Sequence, residues 1–354
     1  MKKIVLTGGG TAGHVTPNLA LIPFLKEEGW EVIYIGSEKG IERSLIEAEG
    51  IPYYSIPTGK LRRYLSKDNF SDMFRVVKGV AEAKKRIKEI KPDLVFSKGG
   101  FVAVPVVLAA KANGVPVIIH ESDITPGLAN KIAMPFAKVI CTTFPETIGH
   151  ISKQKGVHTG SPIRKELFEG NRQKGLEICG FDGNKPVLLM MGGSLGAVKL
   201  NQCLREELSA LLQKFDIIHL CGKGNLETKL LKQKGYKQFE YVSAGLADLF
   251  AAADIIVSRA GSNSICEFLA LKKPHLLIPL SKNASRGDQI LNAASFAKQG
   301  FARVLPEEEM TPESLMENIH TLYENRNKYI EKMEKSGLSD GTKGVLSQIS
   351  KFNK

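Results

Sequence analysis

The chain has 354 residues, of which 43% are hydrophobic and 24% are charged. This composition is typical of a soluble globular protein and excludes intrinsic disorder, collagen and coiled coil. At about 150 residues per domain, the length predicts two domains. The formal net charge of +12 favours anionic partners, such as phosphorylated ligands, nucleic acid or an anionic membrane surface. The longest uncharged apolar run, residues 101–110, is too short to cross a bilayer.

The cysteines and the N-terminus indicate a cytosolic protein. The five cysteines are widely spaced and form no CxxC pair, so we expect reduced core thiols and neither a disulfide nor a zinc site. The apolar stretch behind the N-terminal lysines covers only residues 4–6, which is too short for a signal peptide.

Short apolar runs alternate with helical stretches along the chain, a pattern typical of βαβ units with buried parallel strands. Because ligands of such sheets bind in the loops that follow the strands, those loops are the places to search for a site. The predicted strands cover residues 4–6, 32–35, 94–96, 115–119, 139–141, 157–159, 187–191, 217–220, 255–257 and 276–279.

The two halves of the chain repeat one another. A strand runs into a glycine loop at residues 3–10 and again at 186–194, and residues 93–100 parallel residues 254–261. The repeat predicts an α/β fold of two doubly wound parallel-sheet domains that face one another across a cleft. We expect domains at 1–162 and 163–335, with a helix at about 336–354 packing back on the first.

The first glycine loop ends in a histidine. Residues 8–14 read GGGTAGH, which contains GxGxxG directly after a strand and before a helix. Such a loop can cradle a phosphate at a helix N-terminus, but a tight strand–helix turn and a dinucleotide site are equally open interpretations. The acid that a dinucleotide site requires comes late, at Glu38. His14 should lie in the first helical turn, where it is a candidate general base.

The second half carries its own candidate ligands after predicted strands. The loop at 192–197 brings Ser194, and Arg164 follows the predicted linker; both could bind a diphosphate. Residues 259–267 read RAGSNSICE, in which small residues admit a ligand and Glu267 can accept two ribose hydroxyls. Compensation of the helix dipole is the alternative role for that carboxylate. Asp288 and Gln289 begin a later helix and can bind sugar hydroxyls.

The role of a further group of polar residues in the first half is equally open to a structural and a functional interpretation. Residues 120–123 read HESD and are expected to follow a strand, with Asn130 on the helix behind them.

Together these motifs identify a family by their order and spacing. The chain resembles glycosyltransferase family 28, the bacterial N-acetylglucosaminyltransferases that form lipid II in peptidoglycan synthesis. The resemblance covers essentially the whole chain. It implies a GT-B fold, a hexosyltransferase activity with UDP-GlcNAc as donor, and no cofactor or metal. The motifs that carry the resemblance lie at 8–14, 99–101, 120–121, 160–164, 192–196, 259–261 and 288–289.

The resemblance also implies roles for single residues. Ser194 and Arg164 would contact the donor diphosphate, Glu267 the ribose and Gln289 the GlcNAc hydroxyls. The other residues implied in the UDP-GlcNAc site are Thr11, Ala12, Gly13, Gly261, Ser262 and Asp288, and Asn130 would lie on the acceptor side.

The implied reaction is inverting transfer of GlcNAc to the 4-hydroxyl of undecaprenyl-pyrophosphoryl-MurNAc-pentapeptide, lipid I. His14 is the candidate base, and Asp123 is the alternative. Ser122 and Asp123 depart from the Gln-Asn that is common in the family after His-Glu, as does the loop at 280–286. Other interpretations are a GT-B UDP-sugar transferase with a different acceptor, a non-catalytic binding protein and an NAD-dependent oxidoreductase.

A basic segment predicts attachment to a membrane. Residues 60–91 contain eleven Lys and Arg against four Asp and Glu, an excess of seven positive charges. Phe70, Met73, Phe74 and Val77 recur at helical spacing, which predicts one apolar face within this charge. Because the segment lacks RNA-binding signatures, we expect no nucleic acid partner but peripheral binding to the cytoplasmic face of the membrane. An ordinary core helix with a solvated basic side is the alternative.

Overall fold

The computed structural model describes residues 2–59, 68–193, 197–242, 244–282, 286–338 and 340–353, and for 68–74 it describes the backbone alone. The chain divides into two compact units. Unit 1 comprises Met1–Arg164 and Asp340–Lys354, and unit 2 comprises Lys165–Ser339.

Unit 1 is built on a parallel sheet of seven strands. These are β1 (Lys2–Thr7), β2 (Trp30–Ser37), β3 (Tyr53–Ile56), β4 (Leu94–Ser97), β5 (Val117–Glu121), β6 (Val139–Thr142) and β7 (Gly156–His158). Their order across the sheet is β3-β2-β1-β4-β5-β6-β7. Helices cover the sheet, so its central strands are apolar on both faces, and Ile4, Val5 and Leu6 are completely buried.

Five helices of unit 1 connect these strands. They are α1 (Thr16–Glu27), α2 (Ile41–Ala48), α3 (Asp68–Ile90), α4 (Ala103–Ala112) and α5 (Leu128–Ala133). The helix α3 packs on the sheet through Ala83, Ile87 and Ile90, which belong to one core cluster with residues of β4 and α4. Val77 is not on that buried side; its side chain is 64% exposed. Within the described ranges, no helix has the length and apolar character needed to span a bilayer.

Unit 2 repeats the topology with six parallel strands. These are β8 (Val187–Met191), β9 (Asp216–Leu220), β10 (Tyr236–Phe239), β11 (Ile255–Ser258), β12 (His275–Leu277) and β13 (Ala302–Val304). Their order is β10-β9-β8-β11-β12-β13. The first strands of unit 2 are added towards one edge of the sheet and the later strands towards the other, so the strand order reverses between β8 and β11. In unit 1 it reverses in the same way between β1 and β4.

Eight helices of unit 2 flank its sheet, and a final helix returns to unit 1. The helices of unit 2 are α6 (Arg172–Cys179), α7 (Val198–Glu206), α8 (Leu208–Lys214), α9 (Leu246–Ala252), α10 (Ser262–Ala270), α11 (Asp288–Lys298), α12 (Pro312–Glu324) and α13 (Arg326–Lys335). The final helix, α14 (Thr342–Ser350), packs Val345, Leu346 and Ile349 into the core of unit 1, with residues of β1 and α1.

The point where the strand order reverses positions the loops of interest. In doubly wound sheets, ligands bind outside the carboxyl ends of the strands at this point. In unit 1, residues 8–14 follow β1 and residues 98–100 follow β4; in unit 2, residues 192–193 follow β8 and residues 259–261 follow β11. The repeat that the sequence predicts thus places two pairs of loops at equivalent edges.

Two strand predictions need correction. The strand predicted at 115–119 is β5, which continues through His120 and Glu121, so these residues do not follow a strand as predicted. They extend it because they pair with Cys141 and Thr142 of β6, and internal partners satisfy their polar side chains. The strand predicted at 276–279 is β12, which ends at Leu277. The strands β3, β10 and β13 were not predicted, since they are short and contain polar residues.

Candidate active site

The glycine loop of unit 1 presents its tip to solvent at the carboxyl end of β1. Gly8 and Gly9 are buried, whereas Gly10 and Thr11 are exposed. Gly10 has φ +85°, in the left-handed region that glycine adopts without steric cost. A substrate can therefore approach the backbone at this tip.

His14 lies beside the loop tip and is oriented by it. The prediction that His14 belongs to the first helical turn is wrong, because Ala12, Gly13 and His14 form a separate 3-10 turn before α1. The hydroxyl of Thr16 donates to the carbonyl of Ala12, and a proline, which suits a helix start, follows Thr16. The Thr11 hydroxyl lies 3.1 Å from Nδ1 of the half-buried His14.

A buried ion-dipole network lies at the carboxyl ends of β4 and β5. Nε2 of His120 is 2.9 Å from the carbonyl oxygen of Gly160, so this nitrogen carries the proton. Nδ1 then accepts from the Lys98 ammonium at 2.9 Å, and Lys98 also donates to the Ser122 hydroxyl. Burial, together with the Lys98 charge, holds the pKa of His120 well below its ordinary value. His120 is therefore neutral and structural.

Glu121 organises the loop that follows β5. Its carboxylate accepts from Asn130 Nδ2 at 2.8 Å and from the backbone N–H groups of Ser122, Asp123 and Gly127 at 2.8, 3.0 and 3.1 Å. Burial raises the pKa of Glu121, and the Asn130 hydrogen bond opposes that rise. Asn130 is buried beside Glu121, and the half-buried Asp123 lies in the loop that Glu121 holds.

In unit 2, Gln289 joins the loops that follow β11 and β12. Its side-chain oxygen accepts from the backbone N–H of Leu280 at 3.0 Å and from that of Ala260 at 3.3 Å. The fully buried Asn292, one turn along α11, donates to the carbonyl of Ala260 at 3.3 Å. These bonds fix the backbone of the two loops.

An ion pair between the buried Arg259 and the half-buried Glu307 ties a third loop to the same edge. Arg259, in the RAG motif, donates to a carboxylate oxygen of Glu307 and to the carbonyl of Ile278. The second carboxylate oxygen of Glu307 accepts from the N–H of Ser281 at 3.2 Å, and its carbonyl accepts from Lys199. Burial works to raise the pKa of Glu307, but the Arg259 hydrogen bond and charge outweigh it and hold that pKa below its ordinary value.

The start of α10 carries the ribose candidate. Gly261 precedes this helix, and Ser262 and Glu267 lie in its first and second turns with 9% and 8% exposure. A Cβ atom at Gly261 would meet no other atom within 4 Å, so there is open space just before the helix. At the start of α11, Asp288 forms a 2.6 Å ion pair with Arg286.

Two further residues were expected to bind the donor diphosphate. Ser194 lies outside the described residues, whereas Arg164 is the half-buried last residue of the first segment of unit 1. In the described part of the chain, no group of three or more His, Cys, Asp and Glu side chains could hold a metal ion.

Sequence reasoning missed Lys98, Glu307 and Glu42, the last a buried carboxylate on α2. Lys98 follows a predicted strand, whereas no strand or helix was predicted beside Glu42 or Glu307. In the local sequence all three look like ordinary solvated charges.

Comparison with known sequences identifies both units. Residues 4–142 match the glycosyltransferase family 28 N-terminal domain, and residues 187–348 match the family's C-terminal domain. A protein of Clostridium botulinum (strain Langeland) is 60% identical over 354 residues, which is 100% of both chains. One of Geobacillus thermodenitrificans is 62% identical over 349 residues, 98% of each chain. Both are named UDP-N-acetylglucosamine--N-acetylmuramyl-(pentapeptide) pyrophosphoryl-undecaprenol N-acetylglucosamine transferase.

Solved structures confirm the GT-B fold that the resemblance implies. The crystal structure of Acinetobacter baumannii MurG matches with a TM-score of 0.77 at 29% identity, covering 99% of this chain and 100% of that one. The glycotransferase of kitacinnamycin matches with a TM-score of 0.77 at 17% identity, covering 99% of each chain, which supports the fold alone. The chain belongs to glycosyltransferase family 28.

Proposed function

We propose that this chain transfers GlcNAc from UDP-GlcNAc to lipid I and so forms lipid II. The observation that carries the proposal is identity of 60% along the complete length of relatives that bear the name of this activity. The arrangement of loops at the carboxyl edge of each sheet is consistent with it, because each unit presents glycine-rich backbone and polar side chains there.

The donor is held by its nucleotide and its sugar. Glu267 accepts hydrogen bonds from the ribose hydroxyls, with Gly261 and Ser262 beside it at the helix start. The amide of Gln289 donates to a GlcNAc hydroxyl, since its oxygen already binds two backbone N–H groups. Asp288 lies at the same helix start.

The diphosphate requires positive charge and N–H donors. Arg164 can bind it bidentately, and Ser194 adds a hydroxyl. As the leaving UDP gains negative charge, these groups stabilise it more than they stabilise the bound donor, which lowers the barrier.

The transfer step inverts the configuration at the anomeric carbon of GlcNAc. The 4-hydroxyl oxygen of the muramoyl residue attacks C1 of the α-linked GlcNAc, and the bond from C1 to the phosphate oxygen breaks. Nδ1–H of His14 donates to the Thr11 hydroxyl, and the lone pair on Nε2 takes the proton of the attacking hydroxyl. Asp123 is the alternative base. Thr11, Ala12 and Gly13 are the residues of unit 1 that the resemblance assigns to UDP-GlcNAc, and Asn130 supports the acceptor side through Glu121.

The lipid tail of the acceptor places the enzyme at a membrane surface. We place it on the cytoplasmic face, bound through exposed lysines of α3, which are Lys78, Lys84, Lys85 and Lys88. Phe70, Met73 and Phe74, the rest of the predicted apolar face, lie outside the described side chains.

The deciding experiment combines the purified chain with UDP-GlcNAc and lipid I. We expect UDP release coupled to lipid II, and no release without lipid I. UDP release with another acceptor but not with lipid I would assign a different GT-B transferase activity and overturn the proposal.

A further inference from the structure

A buried carboxylate lies directly beneath the glycine loop of unit 1. Glu42, near the start of α2, has 0% exposure. One carboxylate oxygen accepts from the backbone N–H and the hydroxyl of Ser37, at the end of β2. The other accepts from the backbone N–H of Gly10 at 3.2 Å. The side chain therefore joins the loop tip to the neighbouring strand.

Two glycines give this carboxylate its space. A Cβ atom at Gly9 would lie 2.5 Å from both Cδ and Oε1 of Glu42, and one at Gly40 would lie 2.1 Å from Oε2. Real Cβ atoms do not approach so closely. Neither glycine has a positive φ, so backbone conformation does not require glycine at either position. At both positions the nearest atoms that a Cβ would meet belong to this carboxylate, so a Cβ there would displace it from its hydrogen bonds.

The hydrogen bond between Glu42 and Gly10 is linked to His14 through Thr11. Gly10 is followed by Thr11, whose carbonyl accepts from the His14 N–H at 3.1 Å. The Thr11 hydroxyl lies 3.1 Å from the His14 ring. A displacement of Gly10 would thus move the residue that orients the imidazole. The Glu42 carboxylate binds the Gly10 N–H and places a negative charge beside it. This charge disfavours the binding of an anion at this point of the loop.

We propose that Glu42 is a positioning residue for the transfer, which holds the glycine loop so that Thr11 orients His14, and that Gly9 is glycine in order to admit its carboxylate. This inference rests on the function proposed above. It assigns Gly9 a role in packing rather than in the approach of a phosphate.

The first test is a double-mutant cycle between Gly9 and Glu42. Gly9→Ala should lower kcat about 10- to 100-fold, because the new Cβ displaces the carboxylate and the loop with it. In a Glu42→Ala background the same Cβ enters vacated space, so Gly9→Ala should cost nothing further. An equal loss from Gly9→Ala in both backgrounds would overturn the inference.

A second variant tests the same carboxylate from its other side. Gly40→Ala leaves the loop residues unchanged yet should lower kcat as Gly9→Ala does. It decides the matter even if Glu42→Ala does not fold, since full kcat in Gly40→Ala would contradict the inference. Glu47→Gln, on the exposed side of the same helix, is the matched control and should keep wild-type kcat.

Action through His14 has its own readout. Glu42→Gln preserves the shape of the side chain but turns an amide group towards one of its N–H donors. We expect it to lower kcat in the wild type and to leave the residual rate of His14→Ala unchanged. A further loss in that background would mean that Glu42 acts independently of His14.

Hydrogen exchange separates this inference from the proposed function. Exchange of the Gly10 amide should be faster in Glu42→Gln and unchanged in Glu47→Gln, whatever reaction the chain catalyses. If lipid II forms but this exchange is unaltered, the positioning role fails while the function stands. If the exchange changes but no lipid II forms, the function fails while the Glu42–Gly10 contact stands.

Discussion

The hydroxyl of Thr11 lies 3.1 Å from Nδ1 of His14, across the 3-10 turn at the mouth of the glycine loop. In the tautomer whose Nδ1–H donates to the Thr11 hydroxyl, Nε2 carries the lone pair that can accept a proton from a substrate hydroxyl. The contact thus orients the imidazole ring at the loop and assigns different roles to its two nitrogens.

Replacement of His14 by alanine should reduce kcat far more than donor affinity. General-base catalysis typically contributes about 10²- to 10⁴-fold, so we expect a loss in that range with UDP binding by calorimetry nearly unchanged. Thr11→Val keeps the ring and should give a smaller loss. Equal losses in turnover and in UDP affinity for His14→Ala would indicate a structural role in the loop.

Replacement of Glu267 by alanine should weaken UDP and UDP-GlcNAc binding equally, because the contact that is lost is to ribose. Hydrogen bonds to a charged group contribute roughly 1.5–3 kcal/mol each, so the loss of the bonds to two ribose hydroxyls should lower the affinity at least about 100-fold. Titration calorimetry with both ligands measures it. Glu206→Ala, an exposed acid on α7, is the control. The ribose assignment is wrong if UDP binds as before while UDP-GlcNAc binding weakens.

Charge reversal on α3 should weaken membrane binding. Arg86 pairs with Glu82 and Glu89, so the exposed Lys84, Lys85 and Lys88 are the better targets. Each contributes about 1 kcal/mol near an anionic surface, and reversal of all three should lower co-sedimentation with anionic vesicles at least about 100-fold at low salt.

The control for that variant reverses three exposed lysines of unit 2, namely Lys229, Lys232 and Lys234. It makes the same change in net charge and should sediment nearly as the wild type does. UDP binding should persist in both variants. Equal loss of sedimentation in both would mean that net charge, and not the α3 surface, governs attachment.

Stability should fall as the pH falls below 6.5, because unit 2 buries two neutral histidines. Burial lowers the pKa of His219 to about 3 and that of His275 to about 4. The unfolded chain takes up these protons near pH 6.5 and the folded chain does not, so protonation favours unfolding. Each histidine should cost about 1.4 kcal/mol per pH unit between pH 6.5 and 4.

Urea unfolding at a series of pH values measures this dependence. Nε2 of His219 donates to Asn201 and its Nδ1 accepts from Tyr236, so Gln at this position can keep one of the two bonds without titrating. His219→Gln should reduce the slope below pH 6.5 by one proton. An unchanged slope would show that His219 is not the group that titrates.

The sequence by itself determined the architecture and the identity of the loops. Apolar strand runs, the glycine loops and their recurrence in the second half are local patterns. The structure confirms that the predicted strands belong to two parallel sheets, whose strand orders agree apart from the additional β7 of unit 1. The loops at 8–14 and 259–261 accordingly lie where each strand order reverses, a position that follows from topology once the repeat is recognised.

Only the tertiary structure determined which polar side chains form hydrogen bonds and ion pairs that hold these loops. Glu42 binds Gly10 across 32 residues, Lys98 binds His120 across 22 and Arg259 binds Glu307 across 48. The local sequence carries no information about such partners, because it does not distinguish a charged loop residue that the fold buries from one that stays in solvent. A buried charge requires a partner, so packing, rather than the pattern along the chain, determined that Glu42, Lys98 and Glu307 hold the loops in place.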